Sequence, residues 1–127
     1  MPEKKTILVV DDEEEIRELF LSLAEHDFFE FPVEVFTAED PEEAERIILA
    51  RPGKVVLVIA DIDLPPFSGW EIIEFVLRLA VAPKLMAMTG NDNCLLGLKE
   101  RGVLCLQKPF TIQMVQKMIN DLLRDEQ

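Results

Sequence analysis

Short apolar runs punctuate this chain at regular intervals. Ile7–Val10, Val55–Ala60, Leu85–Met88 and Val103–Leu106 are each four to six residues long, and Val33–Phe36 adds a shorter, mixed segment. Continuous apolar runs of this length, rich in branched side chains, predict strands buried on both faces, as in a parallel sheet covered by helices. Between them the pattern changes period. Ile16, Leu19, Phe20 and Leu23 recur at helical spacing within Glu13–Glu25, with Glu and Arg on the opposite face. Asp40-Pro41-Glu42-Glu43 reads as a helix start: an N-cap aspartate, proline at the first helical position, and glutamate three residues after the cap. That helix carries Ala44, Ile47 and Ile48 and ends near Arg51-Pro52-Gly53.

Pro65 to Gly69 predicts a loop, and Trp70–Leu79 a rather apolar third helix. Asn91–Arg101 predicts a short, weakly patterned fourth helix, because Gly97 interrupts it. Thr111–Arg124 predicts a fifth, with Met114, Val115, Met118, Ile119 and Leu122 facing inward. Five strands alternating with five helices define a doubly wound α/β sandwich. No internal repeat, linker or low-complexity tract interrupts residues 1–127, which are read as a single domain.

In such sheets the ligand crevice lies outside the carboxyl ends of the strands. Four runs end on a polar group: Asp11-Asp12, Asp61, Thr89 and Gln107-Lys108-Pro109. Residues far apart in sequence therefore converge on one rim.

The charge balance narrows the function. Thirteen basic against 25 acidic residues give a net charge of −12, so nucleic acid and anionic lipid should be repelled. Two cysteines, Cys94 and Cys105, are too few for a disulfide framework. Met1-Pro2-Glu3-Lys4-Lys5 has no signal-peptide stretch, and no apolar run is long enough to span a bilayer. The expected compartment is a reducing cytoplasm, with no membrane insertion.

Each rim residue admits two readings. Adjacent Asp11 and Asp12 are costly without a cation and suit Mg²⁺, which takes oxygen ligands; alternatively Asp12 caps the helix, with Glu15 completing a capping box. Asp61 is either a cap or a nucleophile toward phosphorus, forming an aspartyl phosphate, and Asp63 shares the ambiguity. Phosphoryl transfer needs mainly positioning and charge neutralisation, which a metal on Asp12 and Asp61, the Lys108 ammonium and the Thr89 hydroxyl would supply. The plainer alternatives are a solvated surface lysine and a strand-end threonine. The Lys108–Pro109 bond is a candidate for the cis form, which would fix the direction of the lysine.

Val9 to Glu13, Asp61-Ile62-Asp63-Leu64-Pro65-Pro66-Phe67-Ser68-Gly69, Met88-Thr89-Gly90 and Lys108-Pro109-Phe110 together resemble the receiver domain of two-component response regulators. The resemblance runs from Thr6 to about Leu123, with its motifs in order. It implies a flavodoxin-like fold with strand order 2-1-3-4-5. It also implies that Asp61 accepts a phosphoryl group from a sensor histidine kinase or histidine phosphotransferase. Asp12, Asp61 and the backbone carbonyl of Asp63 would ligate Mg²⁺ or Mn²⁺, with Asp11 acting through a metal-bound water. Thr89 and Lys108 would hold the phosphoryl oxygens, and Gly90 would leave them room. Such a module signals by protein contact, catalyses only its own phosphorylation and dephosphorylation, and in some settings forms a phosphorylation-dependent homodimer.

Three departures stand out. Cys105 occupies the position three residues before the lysine, where the family usually has Tyr or Phe. The stretch from Thr89 to Lys108 is a few residues shorter than usual. Asp63 places a carboxylate where many relatives are neutral or basic. Two competing functions stand beside the receiver. One is a haloacid-dehalogenase-like phosphatase using Asp61 and Asp63, although its second acidic pair should lie downstream and Asp11-Asp12 lie upstream. The other is a pseudo-receiver that binds a partner without being phosphorylated. His26 reads as a helix-end residue, Cys105 as a buried strand residue, and Trp70, Phe75 and Val76 as core.

Overall fold

The computed structural model describes residues 3–64, 67–90 and 95–124. Cys94 and the start of the expected fourth helix, residues 91–94, lie outside that set, as do Pro65 and Pro66. The chain runs β1 (Lys5–Val10), α1 (Glu14–Glu25), β2 (Val33–Ala38), α2 (Pro41–Ala50), β3 (Val55–Asp61), β4 (Asp63–Leu64), β5 (Phe67–Ser68), α3 (Trp70–Leu77), β6 (Lys84–Thr89), α4 (Leu95–Glu100), β7 (Leu104–Gln107) and α5 (Ile112–Arg124).

Five strands form one sheet in the order β2-β1-β3-β6-β7, and every neighbouring pair is parallel. The two-residue antiparallel ladder β4–β5 stands apart from it. Counting only the main strands, the order is the expected 2-1-3-4-5.

The alternation of side chains along each central strand divides the core in two. Ile7, Val9, Leu57, Ile59, Met86 and Met88 point to one face and pack with Phe20 and Leu23 of α1 and with Val115, Ile119 and Leu123 of α5. Leu8, Val10, Val58, Ala60 and Ala87 point to the other, against Ala44 and Ile48 of α2, Ile72, Ile73 and Val76 of α3, and Leu98 of α4. Both faces are covered, which is why the strands read as unbroken apolar runs.

Several expected boundaries and contacts differ. β2 extends to Ala38 because β1 offers a partner along its whole length, from Lys5↔Val33 to Val10↔Ala38. α3 stops at Leu77; the amides of Arg78 and Leu79 then bond three residues back, to Phe75 and Val76, tightening the last turn. Asp12 does not cap α1. Glu13 occupies that position without a side-chain bond, and Asp11 Oδ1 accepts the Glu13 amide at 2.8 Å. Asp40 does cap α2, accepting the Glu43 amide at 2.8 Å. On α5, Met114 is 46% exposed rather than inward. The buried stripe is Val115, Ile119 and Leu123, and the row containing Met118 and Leu122 is only half-buried. Val76 is fully buried, whereas Trp70 and Phe75 sit half-buried at the edge of the core.

Candidate functional site

β1 and β3 are neighbours, yet the chain leaves them toward opposite edges of the sheet, so a crevice opens beyond their carboxyl ends. Asp11 follows β1, Asp61 ends β3, Thr89 ends β6, and Lys108 follows β7. Register aligns these ends: Asp61 pairs with Met88 and Thr89 with Gln107. The Lys108 amide donates to the Thr89 carbonyl at 2.8 Å, carrying the lysine across to the rim. The Lys108–Pro109 peptide is cis.

Three of the expected residues place carboxylate oxygens within 4.8 Å of one another: Asp11, Asp12 and Asp61. Asp11, Asp61 and Thr89 are buried, while Asp12 is exposed. The Lys108 ammonium lies between the two buried acids, 3.0 Å from Asp61 Oδ2 and 3.1 Å from Asp11 Oδ2, with Glu13 Oε1 at 4.0 Å. One cation thus faces three clustered acids, and this excess of negative charge is the donor set that a hard divalent cation requires. Oxygen ligands alone, with no histidine or thiolate among them, fit Mg²⁺ or Mn²⁺ better than a softer ion.

Burial pushes the Asp61 carboxyl up from its ordinary 3.8 to about 6. The Lys108 hydrogen bond, the Asp63 amide and the lysine charge act the other way, and the nearby Asp11 charge adds to the rise. Burial pulls the Lys108 ammonium down, but its bonds to Asp61 and Asp11 outweigh that, and the net shift is upward. Lys108 therefore stays charged while Asp61 becomes an unusually basic carboxylate.

Asp63 stands apart from the three-acid group. Its amide donates to Asp61 Oδ1 at 2.8 Å, and its exposed carboxylate accepts from the Thr89 hydroxyl at 3.3 Å. Gly90 is exposed, and a Cβ built there would come no closer than 4.0 Å to Lys108 Cβ. His26 is exposed at the end of α1, with Nδ1 2.8 Å from the Ser22 carbonyl. Cys105 is half-buried in β7 beside the core.

Two residues had no assigned role in the sequence reading. Arg17 donates to the Asp11 carbonyl at 2.8 Å and pairs with Glu39 at 3.2 Å, bracing the turn after β1. Nothing in its spacing distinguishes it from other helical arginines. Gly69 packs its Cα against the Asp61–Ile62 backbone, where a Cβ would collide with the Asp61 carbonyl oxygen. Its place in the Ser-Gly pair was the available signal.

A parallel sheet in this order, with an acidic rim and a facing lysine, defines a flavodoxin-like receiver. The comparisons with known proteins agree. The family described as "Response regulator receiver domain" matches residues 7–120. The alkaline phosphatase synthesis transcriptional regulatory protein PhoP of Bacillus subtilis is 30% identical over 94% of this chain and 49% of its own length. A response regulator receiver domain protein from Clostridium thermocellum superposes with a TM-score of 0.80 at 31% identity, covering 95% of both chains. The Thermotoga maritima response regulator TrrA, solved in complex with Mg²⁺-BeF, superposes at 0.78 with 29% identity over 93% of this chain and 98% of that one. The chain belongs to the response regulator receiver domain family, the phosphoacceptor modules of two-component systems. It spans about half the length of the curated relatives it matches. Among the described residues, no helix is long and apolar enough to cross a membrane.

Proposed function

We propose that Asp61 is the phosphoacceptor, that Lys108 and Thr89 bind the transferred group, and that Asp11, Asp12, Asp61 and the Asp63 carbonyl form the Mg²⁺ site. The carrying observation is the Lys108 ammonium shared between Asp61 and Asp11 beside a third carboxylate. A carboxylate oxygen of Asp61 attacks phosphorus as the bond to the donor nitrogen breaks, and the electron pair leaves with that nitrogen. A bound divalent cation supplies charge neutralisation for the phosphoryl oxygens. Lys108 provides a second positive charge, and the Asp63 amide steadies Asp61 through Oδ1.

The phosphodonor in this reading is a histidine kinase or histidine phosphotransferase, and residues 1–127 act as one receiver unit in the cytoplasm. Net charge of −12 favours output through contact with other proteins over direct contact with nucleic acid, and a phosphorylation-dependent homodimer would have to overcome the repulsion between two such chains. The TrrA complex supports the metal assignment, since that relative was solved with Mg²⁺-BeF.

Incubation with Mg²⁺ and phosphoramidate, followed by intact-mass measurement, tests the reading. The expected result is one added phosphoryl group, absent in Asp61→Asn. No adduct on the parent protein, under conditions that modify a known receiver, would leave the pseudo-receiver reading in its place. Multiple turnover of a phosphate ester would instead favour the phosphatase.

A further inference from the structure

The net charge of −12 is unevenly spread. At the amino ends of β3 and β6, a cleft of about 410 Å³ opens between the turn after α2 and the segment after α3. Because these strands are parallel, this end of the sheet lies opposite the acidic rim, about 20 Å away along β3 from Val55 to Asp61. Ile48 and Val55 line the cleft from the core and are buried, with Leu79 and Pro83 half-buried beside them. At its mouth stand Val81, 75% exposed, and Leu49, 61% exposed, the two most exposed large apolar side chains among the described residues. The frame is also free of acids. Residues 46–55 and 79–83 contain Arg46, Arg51 and Lys54, and all 25 acidic residues lie elsewhere. Arg46 shares the adjoining surface with Glu43, so Arg51 is the charge that the cleft itself presents. Its guanidinium lies over the Phe36 ring at 4.2 Å and has no acidic partner among the described residues.

We propose that this cleft binds a small amphipathic anion, an acyl tail lying between Leu49 and Val81 with its carboxylate on the Arg51 guanidinium. Size favours a small ligand over a protein. Ten residues line the cleft, against about 20–30 on each side of a protein interface. Its volume falls within the range of about 300–1,000 Å³ that small-ligand sites occupy. An acyl tail in the cleft removes Leu49 and Val81 from water, which supplies the non-directional part of the affinity. Stacking on Phe36 orients the Arg51 guanidinium and leaves its N–H edge to meet a carboxylate as a bidentate fork. A cationic amphiphile is repelled by the same group, and a neutral one forgoes the paired bonds. The site is separate from the acceptor rim, and the proposal stands without the reading of Asp61 as phosphoacceptor.

Octanoate, octanol and octylammonium share one short tail and differ in head group, so together they separate the two halves of the site. Each is titrated into the full chain at neutral pH and followed by amide ¹⁵N–¹H correlation spectra. Octanoate should give saturable shifts at residues 48–55 and 79–83, with little change at Asp61, Thr89 and Lys108. It should bind about tenfold more tightly than octanol, the scale of a charge-assisted hydrogen bond, and octylammonium should bind most weakly. Arg51→Ala should bring octanoate down to the affinity of octanol and leave octanol unchanged, while Arg51→Lys should fall between. Leu49→Ser should weaken all three ligands. The dispersion of each variant's spectrum reports that it is folded. No saturable shift with octanoate, an equal affinity for octylammonium, or undiminished octanoate binding in Arg51→Ala would overturn the proposal. Co-sedimentation with phosphatidylglycerol vesicles that octanoate does not compete away would make the patch a membrane contact and overturn it too.

Discussion

At the scale of single residues, the site combines a carboxylate raised by burial with a lysine that stays protonated. The sign of the consequence is definite. A folded value of about 6, above the ordinary 3.8, means that the native state binds more protons than the unfolded chain between those values. The contribution of Asp61 to stability is therefore full below about pH 4 and lost as pH rises through about 6. Asp61→Asn should raise the melting temperature at pH 7.5, with the gain shrinking toward pH 4; thermal melts across that range check it. Mg²⁺ should stabilise the parent at pH 7.5 far more than at pH 5, because protonated Asp61 is a poor ligand. Gly69 sets a different limit. Gly69→Ala would force its methyl into the Asp61–Ile62 backbone and should cost about 1–3 kcal/mol by denaturant unfolding. It should also slow phosphorylation, since the displaced backbone carries Asp61.

Among the elements, α4 depends on α3 for its placement. Gly97 lets α4 approach Trp70, whose ring edge would lie 3.2 Å from a Cβ built at that position. Arg101 then folds over the same indole at 4.8 Å, bonds Glu74 at 2.8 Å and reaches the Gly97 carbonyl at 3.3 Å. Arg101→Ala should cost about 1 kcal/mol, the scale of an exposed cation–π contact with its ion pair. Amide exchange should accelerate over residues 95–100 and stay slow in the central strands. Trp70, the sole tryptophan, should report the loosening by a red shift in fluorescence. From sequence, Gly97 looked only like an interruption of helical pattern. Its role became visible when Trp70, 27 positions earlier, was seen beneath it, because a close approach between helices leaves no local signature.

For the molecule as a whole, what the sequence made legible followed from burial on both faces. Unbroken apolar runs such as Val55–Ala60 located the strands, and polar residues just past them located the rim. Strand ends and caps were less legible. β2 gained two residues from its pairing with β1, and the capping place that was one of two readings for Asp12 falls to Glu13, whose amide bonds the Asp11 carboxylate. The Thr89–Asp63 bond was illegible for the same reason as Gly97: the two residues meet only through the fold. The acidic surface also has a measurable effect. With net charge −12, divalent binding should weaken as salt rises, and titrations in low and high KCl check that slope.

The Lys108–Asp11 contact closes a loop of 97 positions. No fragment ending before Lys108 contains both charges, and none lacking α5 covers the core face on which Val115, Ile119 and Leu123 pack. In the proposed reading, a chain clipped before Lys108 therefore leaves Asp11 and Asp61 without the ammonium they share and lacks the lysine that would hold the phosphoryl group.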